Sequence, residues 1–239
     1  MTTIHVKELY GPEYFSVYQS GSAEHQKRLA MYSQEHSRIR ELVKTGKVLD
    51  VGCGVGDFLN MFEDSAWVKY GIDVSPYALQ LASQKHIITT LPETCDNFFD
   101  LIVFRGTLQH LDEPITTIKR CIRWLKTGGY MVFLATPNIG GPCYRLFQDL
   151  PMLGASMNFM LVSDKILRNI LQNLGLTVLK FHFPYRGSPY ARPWRDCFSF
   201  GLRCVGVRRS FAFWRNMMEC YAKKAAPTSD ILSGAQDNI

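Results

Sequence analysis

Three glycines at alternate positions, Gly52, Gly54 and Gly56, follow the apolar run Val48–Val51 and lead into Asp57 and Phe58. Glycine tolerates positive φ and carries no Cβ, so a turn of this kind brings a ligand against bare backbone. In an open α/β sheet that ligand sits beyond the carboxyl ends of the strands. The residue at the sixth position decides which ligand fits. The dinucleotide fingerprint G-x-G-x-x-G has glycine or alanine there, and this chain has Asp57. A carboxylate at the start of a helix suits the helix dipole, but it repels a pyrophosphate. Asp50, one residue before the end of the strand, adds a second acid. Two carboxylates flanking a glycine turn suit a zwitterionic amino acid with a nearby sulfonium. Asp73, in Gly71-Ile72-Asp73-Val74, lies 17 positions after Gly56. That is near the spacing of an acid that holds ribose hydroxyls. Asp73 also reads as a capping residue ahead of Ser75-Pro76.

A second group of candidates follows the run Asp100–Phe104. Arg105 is placed to pair with a ligand carboxylate, with an acceptor, or with a neighbouring acid. Gly106 permits close approach. His110 is the candidate general base, since an imidazole with a pKa near ~6.5 takes a proton from a hydroxyl at neutral pH. Further on, Tyr190, Arg192, Trp194 and Arg195 combine aromatic faces with charge-assisted donors. They are the candidates for holding a second substrate.

Elements that position these residues alternate along the chain. Helix patterns are expected over Ala23–Thr45 (with Ser22 as N-cap), after the glycine turn through Phe62, from Ser75-Pro76, from Pro114, and from Ser163. Strands are expected at Val48–Val51, Val68–Ile72, Ile87–Thr89, Asp100–Phe104, Tyr130–Ala135, Leu176–Phe183 and Met217–Ala222. Continuous apolar strands alternating with helices imply an α/β fold: a doubly wound, mostly parallel seven-stranded sheet with helices on both faces. Residues 1–46 read as a lid segment and helix, 47–224 as the main domain, and 225–239 as a flexible tail. Residues 138–161 and 184–216 exceed ordinary loop length and read as acceptor-side insertions.

Composition narrows the class. The apolar share is 46%, that of an ordinary globular protein. The longest apolar run, Tyr130–Ala135, has strand length and falls far short of the ~20 residues of a membrane helix. Residues 1–11 show no apolar signal region, so a cytoplasmic protein is expected. Seven cysteines without a C-x-x-C pair read as reduced thiols. The net charge is +6. Nine of the basic residues fall between His182 and Lys224, opposed by Asp196 and Glu219 alone. Such a stretch meets phosphate, an acidic glycan or an anionic membrane surface, or is simply a solvated basic face. No nucleic-acid module is recognisable, and no specific nucleic acid is expected.

Val48–Phe58, Asp73, the run Phe99–Leu111 and Leu125-Lys126-Thr127-Gly128-Gly129-Tyr130-Met131-Val132 together resemble the class I S-adenosylmethionine-dependent methyltransferases. The resemblance covers residues 45–180 and extends loosely to methyltransferases of bacterial surface glycans and of quinone biosynthesis. It implies S-adenosylmethionine as cofactor, held by Asp50, Gly52, Gly54, Gly56, Asp57, Asp73, Val74, Arg105 and Gly106, and an antiparallel last strand. It also implies a lid that includes Tyr14, Phe15 and Tyr18. The implied activity is O-methylation of a small-molecule or glycan acceptor; the basic stretch with its interleaved aromatics also suits peripheral contact with a membrane or lipid-linked substrate. Ubiquinone-biosynthesis O-methyltransferases carry two glutamates before the histidine of the Phe99–Leu111 loop, implicated in binding a divalent cation. The matching positions here are Gly106 and Gln109, so no metal is expected. Quinone-precursor methylation, an NAD-dependent oxidoreductase and a non-catalytic cofactor-binding protein stay open as alternatives.

Overall fold

Apolar runs without polar alternation fold as strands covered on both faces. Val48, Leu49, Leu101–Phe104 and Met131–Leu134 are fully buried. The computed structural model describes residues 11–16, 21–150 and 158–226. Its strands are β1 Gly46–Val51, β2 Trp67–Ile72, β3 Phe99–Arg105, β4 Leu125–Pro137, β5 Leu176–His182 and β6 Met217–Lys224. They form one sheet in the order β2-β1-β3-β4-β6-β5. The first four pair in parallel, and β6 runs antiparallel to β4 and β5.

Side chains alternate across the sheet into two cores. Leu49, Ile102, Phe104, Met131 and Phe133 join the first; Val48, Leu101, Val103, Val132 and Leu134 join the second. The other helices follow in chain order. They are α1 Pro12–Ser16, α2 Ala23–Arg40, α3 Pro76–Ser83, α4 Pro114–Trp124, α5 Pro142–Phe147, α6 Asp164–Asn173 and α7 Pro193–Cys204. Helices α4 and α6 cover the first core through Ile118, Cys121, Leu167 and Leu171. Helices α2 and α3 cover the second through Tyr32, Ile39 and Ala82. The expected caps form: Ser22, Ser75 and Ser163 accept from the backbone N–H of His25, Ala78 and Ile166. Each such cap contributes about 1 kcal/mol.

Several expectations differ. The described sheet has six strands, not seven. Ile87–Thr89 makes a single parallel bridge, Ile88 to Tyr70, because its apolar pair is bounded by His86 at φ 56° and by polar threonines. The helix expected after the glycine turn is one 3₁₀ turn, Leu59–Met61. Phe58 and Phe62 are drawn instead into an edge-packed aromatic cluster with Tyr32 and Trp67. Helix α2 stops at Arg40 rather than Thr45. The segments 138–161 and 184–216 are not bare loops, since they carry α5 and α7. Tyr18 and residues 227–239 of the expected tail lie outside the described residues. Among the described residues no helix is long and apolar enough to cross a membrane.

Candidate active site

A cavity of about 710 Å³ opens at the carboxyl ends of β1 to β4. Its floor is the glycine turn. Gly52 and Cys53 donate their backbone N–H groups to the Ile72 carbonyl, at 2.8 and 3.1 Å, which ties the tip of β1 to the tip of β2. Asp73 completes the turn. Its Oδ2 accepts from Gly54 N at 2.8 Å and its Oδ1 from Ser75 N at 2.9 Å. Asp73 therefore caps the entry to α3 and also lines the cavity. Val74, beside it, lines the same wall and is exposed.

The glycines divide by role. Gly54 sits at φ 52°, and a Cβ there meets only Phe15, at 3.5 Å. Gly52 is pressed against Thr107. Gly56 is buried against Ile87 and Ala82 and does not line the cavity. It lets the turn pack onto α3, while Gly52 and Gly54 line the cavity.

Asp50 is 2% exposed, and its Oδ1 has no hydrogen-bond partner. Burial pushes its carboxyl up to about 7; the Arg105 guanidinium opposes this, and the Asp73 and Glu35 carboxylates add to it. A buried acceptor left open at a cavity wall is the place for a cationic or donor group of a ligand.

Asp57 and Arg105 line the cavity and are also paired with other residues of the chain. With no α-helix after the turn, Asp57 has no helix dipole to complement. It pairs with Lys85 at 2.5 Å and lies 4.0 Å from His25 Nδ1. Arg105 donates from Nε to Glu35 Oε2 at 2.6 Å and from Nη2 to Glu35 Oε1 at 3.3 Å. Its guanidinium lies 4.1 Å from the Tyr32 ring centre. Arg105 is thus a buried strut between β3 and α2, with its edge on the cavity. Burial raises the Glu35 carboxyl, and the Arg105 charge offsets that rise.

Gly106 takes φ 64° with open space around it, and its carbonyl accepts from Gln109 Nε2 at 3.1 Å. This turn delivers His110 to the cavity wall, with its Nε2 3.2 Å from Gln109 Nε2. Ala135, at φ 46° beside the register shift between β4 and β6, lines the wall next to it. Tyr14 and Phe15 of α1 also line the cavity. Among the described residues no three His, Cys, Asp or Glu side chains converge as metal ligands.

On the remaining wall the structure keeps Tyr190 and leaves out Arg192, Trp194 and Arg195. Helix α7 faces inward through Asp196, Phe200 and Arg203. Asp196 accepts from Tyr185 Oη at 3.0 Å and Arg192 N at 2.7 Å. Phe200 stacks on Phe213 at 4.5 Å, and Arg203 pairs with Asp149. Trp194, two residues before Asp196, points to the opposite side and is 91% exposed. Tyr185, another aromatic of the segment 184–216, lines the cavity as well, together with residues not singled out from the sequence: Glu24, Arg28 and Met31 of α2, with Ser188 and Asn216. The α2 group, continued by Glu35, recurs at helical spacing, so the stripe was present in the sequence as a periodicity. Nothing in the sequence placed it on the same cavity as the glycine turn.

A sheet with one reversed strand, a β1 turn held by an acid at the tip of β2, and an open buried carboxyl define the class of the protein. It is a class I S-adenosylmethionine-dependent methyltransferase fold. Within that class the chain belongs to the methyltransferase domain family, whose model matches residues 23–180. It is 29% identical over 120 residues to a ubiquinone biosynthesis O-methyltransferase of Nitrosospira multiformis, covering 45% of this chain and 48% of that protein. It is 32% identical over 118 residues to phosphoethanolamine N-methyltransferase 3 of Arabidopsis thaliana, covering 42% of this chain and 24% of that one. The chain thus spans about half, or less, of the curated relatives it matches. In fold it is similar to an S-adenosylmethionine-dependent methyltransferase from Thermotoga maritima. The TM-score is 0.61 at 16% identity, with 94% of this chain and 100% of that chain covered. One from Archaeoglobus fulgidus gives a TM-score of 0.59 at 19% identity, covering 88% and 99%.

Proposed function

We propose that this chain methylates an oxygen of a small-molecule or saccharide acceptor, with S-adenosylmethionine as donor. The observation that carries the reading is the buried, unpartnered Oδ1 of Asp50 beside a glycine turn, at a cavity whose lining also includes polar and aromatic side chains. When bound, the cofactor supplies an already activated sulfonium methyl for in-line displacement. The chain's own residues supply position. Asp50 holds the ammonium group, Asp73 the ribose hydroxyls, and Gly54 and Gly106 the room for close approach, while Gly52 lines the cavity beside Thr107. Glu24, Tyr185, Tyr190 and Asn216 orient the acceptor. His110 takes its proton, a contribution of ~10²–10⁴-fold. Holding both partners in line supplies much of the rest. Seven free thiols, five of them buried, support a reducing compartment, the cytoplasm.

Methylation of a quinone precursor is the second reading, favoured by the similarity to the Nitrosospira protein. The test is incubation with methyl-labelled S-adenosylmethionine and fractionated cell extract, with and without EDTA. Label is expected in one acceptor fraction, undiminished by the chelator. Loss under EDTA with recovery on added magnesium would favour the quinone reading. Cofactor binding without transfer to any fraction would leave a non-catalytic protein.

Gly54→Val should reduce cofactor affinity by about tenfold or more, since its branched side chain enters the cavity. It also adds about 1–2 kcal/mol of strain at a left-handed position. Calorimetry on the folded variant checks this; undiminished affinity would remove the turn from the cofactor site.

A further inference from the structure

The outward side of α7 carries a charge and apolar pattern that the cavity does not use. Asp196, Phe200 and Arg203 recur at the spacing of one helix face and hold the helix to the protein. Trp194, Phe198, Gly201 and Val205 recur at the same spacing on the opposite face. Trp194 is 91% exposed, Phe198 63% and Val205 76%. A Trp and a Phe side by side in water at this exposure form an apolar patch that calls for a partner.

The surrounding charge says which partner. Arg186, Arg192, Arg195, Arg208 and Arg209 are all exposed. No ion pair joins any of them to an acid among the described residues, whereas Arg203 and Arg215 are paired with Asp149 and Asp164. The single acid between residues 184 and 216, Asp196, is buried and turned inward. The exposed charge of this segment is therefore entirely positive. An interfacial helix that lies on a bilayer has this make-up: Trp and Phe on one side, arginines flanking them.

We propose that α7 docks the protein on an anionic lipid bilayer, with Trp194, Phe198 and Val205 entering the headgroup region and the five arginines meeting lipid phosphates. Phosphates and acidic headgroups accept charge-assisted hydrogen bonds from guanidinium groups. A protein partner with an apolar groove would satisfy the stripe but leave five arginines to find acids. The docking does not rest on the methyltransferase reading, because none of these side chains lines the cavity. The same segment does supply Tyr185 and Tyr190 to the cavity wall, and the Tyr185–Asp196 hydrogen bond joins that wall to the helix.

The test is co-sedimentation of the full chain with vesicles of phosphatidylcholine, alone or mixed with phosphatidylglycerol. Binding is expected to the mixed vesicles and to weaken as salt is raised. Trp194→Ser with Phe198→Ser should reduce that binding by about tenfold or more. Gln at Arg192, Arg195, Arg208 and Arg209 should abolish the preference for the anionic vesicles. Melting temperature and cofactor affinity should stay unchanged in both variants, since every altered side chain is exposed. The proposal is overturned if the protein ignores anionic vesicles, or if both variants bind them as the parent does. It is equally overturned if light scattering shows a dimer that the Trp194/Phe198 variant dissolves while no vesicle binding occurs, for then a second copy covers the face.

Discussion

Glu35→Gln is expected to cost about 3–5 kcal/mol of stability, because it leaves the Arg105 guanidinium buried without its counter-charge. Glu35 is fully buried on α2, and Arg105 reaches it from the end of β3 through two hydrogen bonds. The rings of Tyr32 and Phe58 flank the guanidinium, and its side chain is only 13% exposed, so little water replaces the lost charge. Gln preserves the shape of the side chain, so the loss reads the charge itself. For a chain of this length each kcal/mol shifts the melting temperature by roughly 2–4 °C. Urea unfolding of Glu35→Gln beside a Glu35→Leu, Arg105→Met double variant measures the pair. The double variant should recover much of the loss, since an apolar pair of similar volume tolerates this site. A cost below about 1 kcal/mol for Glu35→Gln would show a pair screened as on a surface. Helix α2 would then need another anchor, such as the Arg38–Glu219 pair.

Asp50→Asn should weaken S-adenosylmethionine binding by about 10- to 100-fold, the span of about 1.5–3 kcal/mol for a hydrogen bond to a charged group. The reason is specific to this carboxyl. Its value near 7 in the free protein, raised mainly by burial, means that below pH 7 it holds a proton. Binding an ammonium group requires that proton to leave. Affinity should therefore fall by about tenfold for each pH unit below 7, while the cofactor's α-amino group stays charged. Asp50→Asn should remove this slope. Stability of the cofactor-free protein runs the other way. Between the ordinary aspartate range and about 7 the folded state keeps a proton that the unfolded chain has lost. The contribution of Asp50 to stability falls as pH rises through that window and levels off above it. Asp50→Asn should thus stabilise the free protein at pH 8 while weakening its ligand. Calorimetric titration at pH 6, 7 and 8, with melting curves at the same values, decides this. An unchanged slope in the variant would move the ammonium site away from Asp50.

The chain determined the class by itself. Apolar runs, glycines at alternate positions, an acid 17 residues on and three serine caps are local features with local physical causes. They specify a sheet with a turn at the tip of β1 before any long-range contact is known. Burial and partnership belong to the tertiary structure. Asp50 and Asp57 are the same residue type seven positions apart. One is left with a buried, unpartnered oxygen at the cavity wall, and the other is neutralised by Lys85 from beyond α3. Arg105 was legible as a charge at the end of a strand, yet its partner lies 70 residues earlier, on α2. Trp194 shared its segment with Tyr190, but α7 turned it to the opposite face once Asp196, Phe200 and Arg203 packed inward. Periodicity gives a helix its faces; only the neighbours that fill one of them decide which residues are left to meet a ligand.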